Sequence, residues 1–359
     1  MKKYIYILTA ALLCGAGAAG AETLKSFDGY GLDYVLEYPE GGAASRVVIL
    51  LHGSGPADMD ENLGEASAPG TKNLFFADVS AALRAKGFSV LRYNKRSFQW
   101  KKSLKADPGF LKSEVFLKFS ANPLKYFAED AAAFVNLAVR KFPGGKVCLL
   151  GHSEGTGIAL RLADADPRIR GVALVGFMAL SLDTAMFEQT VYRPLPVFEG
   201  LDADKDSLLD GRELEGEGAI KKSLRAQLPL LDLDGDGKIS RSEFMAGNFS
   251  NLLLDMAPAF KAYRAEEAAY KRPAEIIRDA KFDVAFFQGE LDNQTPAYGV
   301  RAVELLNKAG FKKTNLHFRY FPGLGHALDP RDNYQDILYR PAKKEALEAM
   351  ASDLEKFWK

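Results

Sequence analysis

An apolar run, Lys146-Val147-Cys148-Leu149-Leu150, passes directly into Gly151-His152-Ser153-Glu154-Gly155 and then into the helix-like Thr156-Gly157-Ile158-Ala159-Leu160-Arg161-Leu162. A strand that gives way to a helix within so few residues needs a tight, strained bend. G-x-S-x-G in that setting is the pattern of a nucleophile elbow, which lifts one serine hydroxyl above the carboxyl edge of a parallel sheet. The glycines at either end let neighbouring backbone pass close by. The five residues alone recur by chance in Gly-rich loops; the strand before and the helix after make them informative. Ser153 is therefore the candidate nucleophile, and the rest of the chain has to supply its partners.

The surrounding pattern supports a sheet of that kind. Leu24-Lys25-Ser26-Phe27 and Leu32 to Tyr38 alternate around Asp28-Gly29-Tyr30-Gly31, which predicts an opening hairpin. Arg46 to Leu51 is a continuous apolar strand, as expected where both faces of a sheet are covered. A helix over Asn73 to Lys86, a strand over Phe88 to Tyr93, a helix near Ala128 to Val139, the elbow strand and a short strand over Gly171 to Gly176 follow. This alternation predicts a mostly parallel α/β sheet with helices on both faces.

Regular alternation stops between about Leu180 and Arg278 and resumes with Asp283 to Phe287, a helix from Ala297 to Ala309, a strand over Asn315 to Phe321 and a closing helix from Ala342 to Phe357. The sequence thus divides into a core over 22–179 and 279–359, interrupted by a mainly helical insertion over 180–278. The lysine- and phenylalanine-rich stretch from Trp100 to Lys125 reads as a solvated amphipathic surface.

With 47 basic and 47 acidic residues the chain has no net charge to draw it to nucleic acid or to anionic membranes. Lys2 and Lys3, an apolar run from Tyr4 to Leu13 and Ala19-Gly20-Ala21 have the order of a cleaved secretory leader, too short to span a membrane. Cleavage is expected after Ala21, with a periplasmic or secreted destination and no transmembrane segment left. A lipoprotein anchor at Cys14 is the rival reading, disfavoured because Leu13 stands where a small residue is usual. Cleavage would leave Cys148 alone, so no intramolecular disulfide is expected.

A serine hydroxyl needs an adjacent base, usually an imidazole oriented by a carboxylate. Of the four histidines, His52 precedes a Gly-rich turn, His152 points away if Ser153 is at the apex, and His317 lies within a strand. His326, in Pro322-Gly323-Leu324-Gly325-His326-Ala327, is the candidate base. The acid should fall between nucleophile and base in sequence. Asp292, just beyond a strand end, is favoured over Glu290 and Asp183. Backbone amides of Ser54 and Glu154 are placed to hold a developing oxyanion.

His52-Gly53-Ser54-Gly55-Pro56, Leu91-Arg92-Tyr93-Asn94-Lys95-Arg96, the elbow, Gly289-Glu290-Leu291-Asp292 and Gly325-His326 together resemble the successive motifs of the α/β-hydrolase superfamily. Within it they are similar to bacterial serine esterases related to acyl-aminopeptidase-like hydrolases. The resemblance covers roughly residues 24 to 178 and 281 to 357. It implies a small-molecule ester or acyl substrate. Where that family usually has Arg-Gly after a Tyr-Asp-Lys run, this chain has Asn94, Lys95, Arg96 and Ser97.

The insertion carries a second signal. Asp232-Leu233-Asp234-Gly235-Asp236-Gly237-Lys238-Ile239-Ser240-Arg241-Ser242-Glu243 fits a calcium loop at every diagnostic position. Asp232, Asp234, Asp236, the Lys238 carbonyl, Ser240 and Glu243 would be its ligands. Thirty residues earlier Asp202, Asp204, Asp206, the Leu208 carbonyl, Asp210 and Glu213 repeat the plan, with Ser207 in place of the turn glycine and Lys205 adding a positive charge. The two resemble an EF-hand pair in which Leu209 and Ile239 join in a short two-stranded link, the first loop binding Ca2+ more weakly. Calcium is expected to hold the insertion together rather than to switch activity; control of a lid over Ser153 is the alternative. The whole reads as an exported serine hydrolase cleaving carboxylic esters. A peptidase or acyl-amide hydrolase, and a non-catalytic calcium-dependent binding protein, are the other possibilities.

Overall fold

Period-two side-chain alternation sends Val47, Ile49 and Leu51 into one apolar cluster and Val48 and Leu50 into another, so a single strand feeds two cores. The computed structural model that shows this describes residues 21–40, 42, 45–64, 67, 70–253, 258–336 and 338–358. Residues 1–20 of the leader expected over 1–21, with Cys14, lie outside them.

In chain order the first half holds β1 (Glu22–Lys25), β2 (Gly31–Glu37), β3 (Arg46–Leu51), α1 (Phe75–Arg84), β4 (Ser89–Tyr93), α2 (Arg96–Ala106), α3 (Glu114–Ala121), α4 (Pro123–Lys141), β5 (Lys146–His152), α5 (Glu154–Ala165) and β6 (Ile169–Val175). The excursion contains α6 (Leu182–Phe187), α7 (Leu195–Leu201), β7 (Leu208–Leu209), α8 (Ala219–Leu231), β8 (Ile239–Ser240), α9 (Arg241–Leu253) and α10 (Pro258–Ala269). Then come α11 (Pro273–Asp279), β9 (Asp283–Gly289), α12 (Tyr298–Leu306), β10 (Leu316–Phe321) and α13 (Lys344–Phe357).

Eight strands form one sheet in the order β1-β2-β4-β3-β5-β6-β9-β10. The opening hairpin and its junction with β4 are antiparallel, and every pairing from β4 to β10 is parallel. One face is covered by α4, α5, α11 and α12 through residues such as Phe134, Ile158, Ile277 and Val300; the other is covered by α1 and α13 through Phe76, Val79, Met350 and Leu354. This is the doubly covered, mostly parallel arrangement that the alternation predicts. Elbow strand β5 lies between β3 and β6, near the middle of the sheet.

Several boundaries differ from the sequence reading. Helix α4 begins at Pro123, five residues before its apolar periodicity becomes visible. Proline is tolerated in a first helical turn, where its missing N–H has no partner to lose. Helix α11 was assigned by pattern to the insertion, but Ile276 and Ile277 are buried in the sheet's own core. It is a crossover helix leading into β9, and too short for its periodicity to register. The Trp100–Lys125 stretch is also less solvated than expected: Trp100, Phe119 and Tyr126 form a satellite apolar cluster, with Phe110 and Phe116 packed on it.

Strand β6 pairs directly with β9, so the chain leaves the sheet and returns to the neighbouring position. Part of the excursion has its own apolar centre, in which Phe198, Leu209, Leu214, Ile239 and Phe244 are buried. Cys148 is buried and has no disulfide partner among the described residues, and burial pushes its thiol pKa up. Among the described residues, no helix is long and apolar enough to cross a membrane.

Candidate active site

Ser153 sits at the junction of β5 and α5 with φ 52 and ψ −119. Positive φ is costly for a residue with a side chain, and such strain persists only where the surroundings enforce it. Here the Ser153 amide donates to the Val175 carbonyl at 2.9 Å, while the amide and hydroxyl of Thr156 donate back to the Ser153 carbonyl at 2.9 and 2.6 Å. Gly155 is required by close approach: a Cβ there would overlap the carbonyl oxygen of Leu51 in β3. The bend of the sequence pattern is therefore locked from three sides.

His326 lies in the loop after β10 and is 2% exposed, against a fully buried Asp292. The imidazole Nδ1–H donates to Asp292 Oδ2 at 2.9 Å. With Nδ1 carrying the proton, Nε2 is left as the free basic nitrogen. The other carboxylate positions of Asp292 are also occupied. Amides of Gln294 and Thr295 donate to Oδ1, each at 2.9 Å, and Thr295 Oγ1 and Gln288 Nε2 donate to Oδ2 at 2.8 and 2.9 Å. Burial alone would raise the Asp292 pKa, but the His326 charge and these hydrogen bonds together hold it below the ordinary carboxylate value. The competing acids face elsewhere, since Glu290 pairs with Arg301 and Asp183 with Arg264. Gly176, with φ 60, gives His326 its space: a Cβ there would lie 2.7 Å from Cε1 of the ring.

The turn at Gly53-Ser54 packs against the elbow, with the Cβ position of Gly53 3.2 Å from Ser153 Cβ. Glu154 is the first residue of α5, so its amide has no acceptor within the helix. Sequence reasoning identified these two backbone positions but missed the side chains behind them. The Gly53 amide donates to Glu61 Oε1 at 2.7 Å, and the Gly53 carbonyl accepts from Lys95 Nζ at 2.8 Å. Lys95 also donates to Glu154 Oε2 at 2.7 Å. Lys95 stands in the Tyr93–Arg96 run and could have been noticed there as a charge beside a buried strand; Glu61 sits in an irregular loop that carries no signal.

His152 does not simply point away. Its ring stands 4.7 Å from that of His326, and its Nδ1 lies 3.1 Å from Glu61 Oε1. Burial opposes charge on His152, yet the Glu61 carboxylate and Asp292 raise its pKa above the ordinary value. His52 is packed between Phe76 and Tyr93, and burial lowers its pKa to about 4. His317 pairs with Asp353 on the outer face of β10. Asn94 and Arg96, where the chain departs from the family pattern, are structural. Asn94 Oδ1 accepts the Met59 amide at 2.8 Å, and the fully buried Arg96 pairs with Asp28 and Asp130.

In the insertion, β7 and β8 pair antiparallel with Leu209 opposite Ile239, which sets the two acidic loops back to back. Carboxylate oxygens of Asp202, Asp204 and Asp206 lie within 4.8 Å of one another, and so do those of Asp232, Asp234 and Asp236. Both loops bend alike: the Ser207 amide donates to Asp202 Oδ2 at 3.1 Å and the Gly237 amide to Asp232 Oδ2 at 2.9 Å. Ser207 reaches φ 67 where Gly237 has φ 82, the strained version of the same turn. Lys205 does not neutralise the carboxylates, because its ammonium is turned onto the carbonyls of Glu199 and Asp202. Asp202 is buried and its Oδ1 has no hydrogen-bond partner among the described residues, a donor set that fits a hard cation. Glu213 and Glu243 instead each cap their own loop, accepting the amides of Ala203 and Asp210 and of Leu233 and Ser240 respectively.

Parts of the insertion meet the site. The segment from α6 through the π-helical turn Glu188–Tyr192 lies against the Asp292 loop: Gln189 Nε2 donates to the Gln294 carbonyl at 3.0 Å, and Glu188 pairs with Tyr298. From α10, Tyr263 meets Glu154. The acidic loops are built around an apolar cluster of their own.

A family model described as the alpha/beta hydrolase fold matches residues 46–214. The chain is 33% identical over 162 residues to Esterase EstD of Thermotoga maritima, a match covering 45% of this chain. That match spans 34%, about a third, of the length of the curated relative. Among solved structures, Est1E from Butyrivibrio proteoclasticus superposes with a TM-score of 0.48 at 15% identity, covering 95% of this chain and 100% of that one. The esterase domain of a Rhodothermus marinus protein gives 0.47 at 15% identity, covering 94% and 97%. The parallel sheet and the strained elbow thus accompany a match to the alpha/beta hydrolase fold over residues 46–214, and an esterase is among the proteins the chain is similar to.

Proposed function

We propose that this protein is a serine hydrolase that cleaves carboxylic esters. The observation that carries the reading is the buried His326–Asp292 pair together with a serine held in a strained elbow, His326 lying against Gly176, which follows the Val175 whose carbonyl takes the Ser153 amide. Ser153 Oγ attacks the ester carbonyl carbon while its proton passes to Nε2 of His326. Asp292 holds Nδ1–H and stabilises the imidazolium. Amides of Ser54 and Glu154 hold the oxyanion. Collapse breaks the bond to the alcohol, which leaves with the proton from His326; water then attacks the acyl-enzyme by the same route and restores Ser153. A set of p-nitrophenyl esters compared with aminoacyl p-nitroanilides tests the substrate class. Esters are expected to turn over at least about 100-fold faster in kcat/KM, a difference of roughly 3 kcal/mol in barrier. Faster cleavage of the amides would make the chain a peptidase instead.

The insertion is proposed to bind calcium through Asp232, Asp234, Asp236, Lys238, Ser240 and Glu243, and more weakly through Asp202, Asp204, Asp206, Leu208, Asp210 and Glu213. Bound calcium would neutralise carboxylates that repel one another, and both capping glutamates would turn inward. Its role is structural, because the loops share an apolar cluster of their own and extracellular sites of this type fill only at roughly 0.1–1 mM. Calcium added to chelated protein at about fifty times its Kd should stabilise the insertion by about 2 kcal/mol. Calorimetric titration should resolve two unequal sites, of which Glu243→Gln removes the tighter. Ester turnover in EDTA should stay within about twofold of the calcium-loaded rate while the core is folded; a large loss would instead make calcium a control on the site. The leader directs this protein to the periplasm or outside, where calcium is available at such concentrations.

A further inference from the structure

We propose that Lys95 is a positioning residue for the oxyanion site, fixing the Gly53–Ser54 peptide so that the Ser54 N–H faces the reacting carbonyl. The inference rests on the serine-hydrolase reading above. A trans peptide presents its C=O and N–H on opposite sides. Lys95 Nζ holds the Gly53 carbonyl at 2.8 Å from the buried side, which leaves the N–H of the same peptide, that of Ser54, directed away from it. Ser54 itself is exposed while Gly53 is buried, so the outward side of this peptide is the accessible one. On the preceding peptide, Glu61 holds the Gly53 N–H at 2.7 Å. Two buried charges of opposite sign thus clamp Gly53 at both of its polar groups, and Glu61 occupies φ 45 to do so.

An ammonium that is 4% exposed is costly to desolvate unless it is paired. Its carboxylate partner belongs to Glu154, the residue whose amide is the second oxyanion donor. Lys95 therefore ties together the two backbone segments that must converge on one oxygen. A positive charge on the Gly53 carbonyl also polarises the peptide and makes Ser54 N–H a stronger donor. The ammonium packs 4.1 Å from the centroid of the Phe127 ring, and Tyr263 of the insertion meets Glu154, so the pair is closed off from water by core and insertion together.

The test compares Lys95→Met, Lys95→Arg and the double variant Lys95→Met/Glu154→Gln with wild type in p-nitrophenyl acetate hydrolysis and in inhibition by an aryl trifluoromethyl ketone, which forms an oxyanion on the enzyme. Lys95→Met should lower kcat about 10- to 100-fold, the scale for disturbing one oxyanion donor, and weaken the ketone by a similar factor, with KM within about threefold. Lys95→Arg should recover part of kcat. Where Lys95→Met fails to fold because Glu154 is left unpaired, the double variant, neutral at both positions, decides: its thermal midpoint should return towards wild type while kcat and ketone affinity stay low. Wild-type kcat in the folded double variant, or loss of kcat with unchanged ketone affinity, would overturn the proposal. Ser153→Ala separates the two readings. If it keeps full ester turnover the hydrolase reading fails; if it is inactive while the double variant is fully active, only the role of Lys95 falls.

Discussion

Ser153→Ala should abolish both ester turnover and labelling by a fluorophosphonate probe while leaving the fold intact. Loss of the nucleophile in a triad of this kind costs on the order of 10^6-fold in kcat, leaving a residue of catalysis from the oxyanion donors. The substitution removes one oxygen from a half-buried side chain that has no part in the apolar core, so the thermal midpoint should move little. Alanine also relieves none of the strain at φ 52, since the penalty there comes from having a Cβ at all. Stopped assays of p-nitrophenyl acetate together with gel labelling check the result. Ester turnover unchanged in the variant would remove Ser153 as the nucleophile, and absence of labelling in folded wild type would favour the idle binding-protein alternative.

Asp292→Asn is expected to lower kcat by roughly 10^4-fold, the scale for holding the catalytic imidazole in the wrong tautomer. An asparagine carbonyl can keep the amides of Gln294 and Thr295, but its NH2 group then faces His326, Thr295 Oγ1 and Gln288 Nε2, all of which now donate. The imidazole can satisfy that NH2 only by giving up the Nδ1 proton, which moves to Nε2 and removes the base. Glu290→Gln is the control. Its exposed pair with Arg301 lies outside the buried network, and kcat should stay within about threefold because such surface pairs contribute little. Steady-state kinetics on the two variants separates the acid from its neighbour in sequence. An inactive Glu290→Gln beside an active Asp292→Asn would reverse the assignment. The depressed pKa of Asp292 also fixes a sign for acid. Its carboxylate contributes stability that is complete above the unfolded value of 3.8 and is lost as pH falls through the lower folded value, so thermal midpoints measured down that range should fall more steeply in wild type than in Asp292→Asn.

The elbow was legible because it combines local signals: two glycines, a strand before and a helix after. Asp292 and His326 were legible because each stands just past a strand end, where a parallel sheet gathers its loops. Strand ends alone do not separate Asp292 from Glu290 and Asp183; the helix expected near Pro296 favours Asp292, and its contact with His326 depends on which way the loop turns. Gln288, Thr295 and Glu61 were missed for the same reason. Each acts through a hydrogen bond whose partner is distant in sequence or whose geometry depends on a loop without regular structure. The aromatic cluster around Trp100 was misread as a solvated surface because its lysines mask an apolar face that closes only when α2, α3 and α4 pack together.

By itself, then, the sequence determined the sheet, the elbow and the paired acidic loops, because period-two strands, glycine turns and loop ligand spacing are properties of residues close along the chain. Only the tertiary structure decided that Asp292 meets His326, that Lys95 and Glu61 clamp Gly53, and that the π-helical turn lies against the Asp292 loop. Those are contacts between segments far apart in sequence, set by how the sheet twists and the helices pack, and no local pattern encodes them.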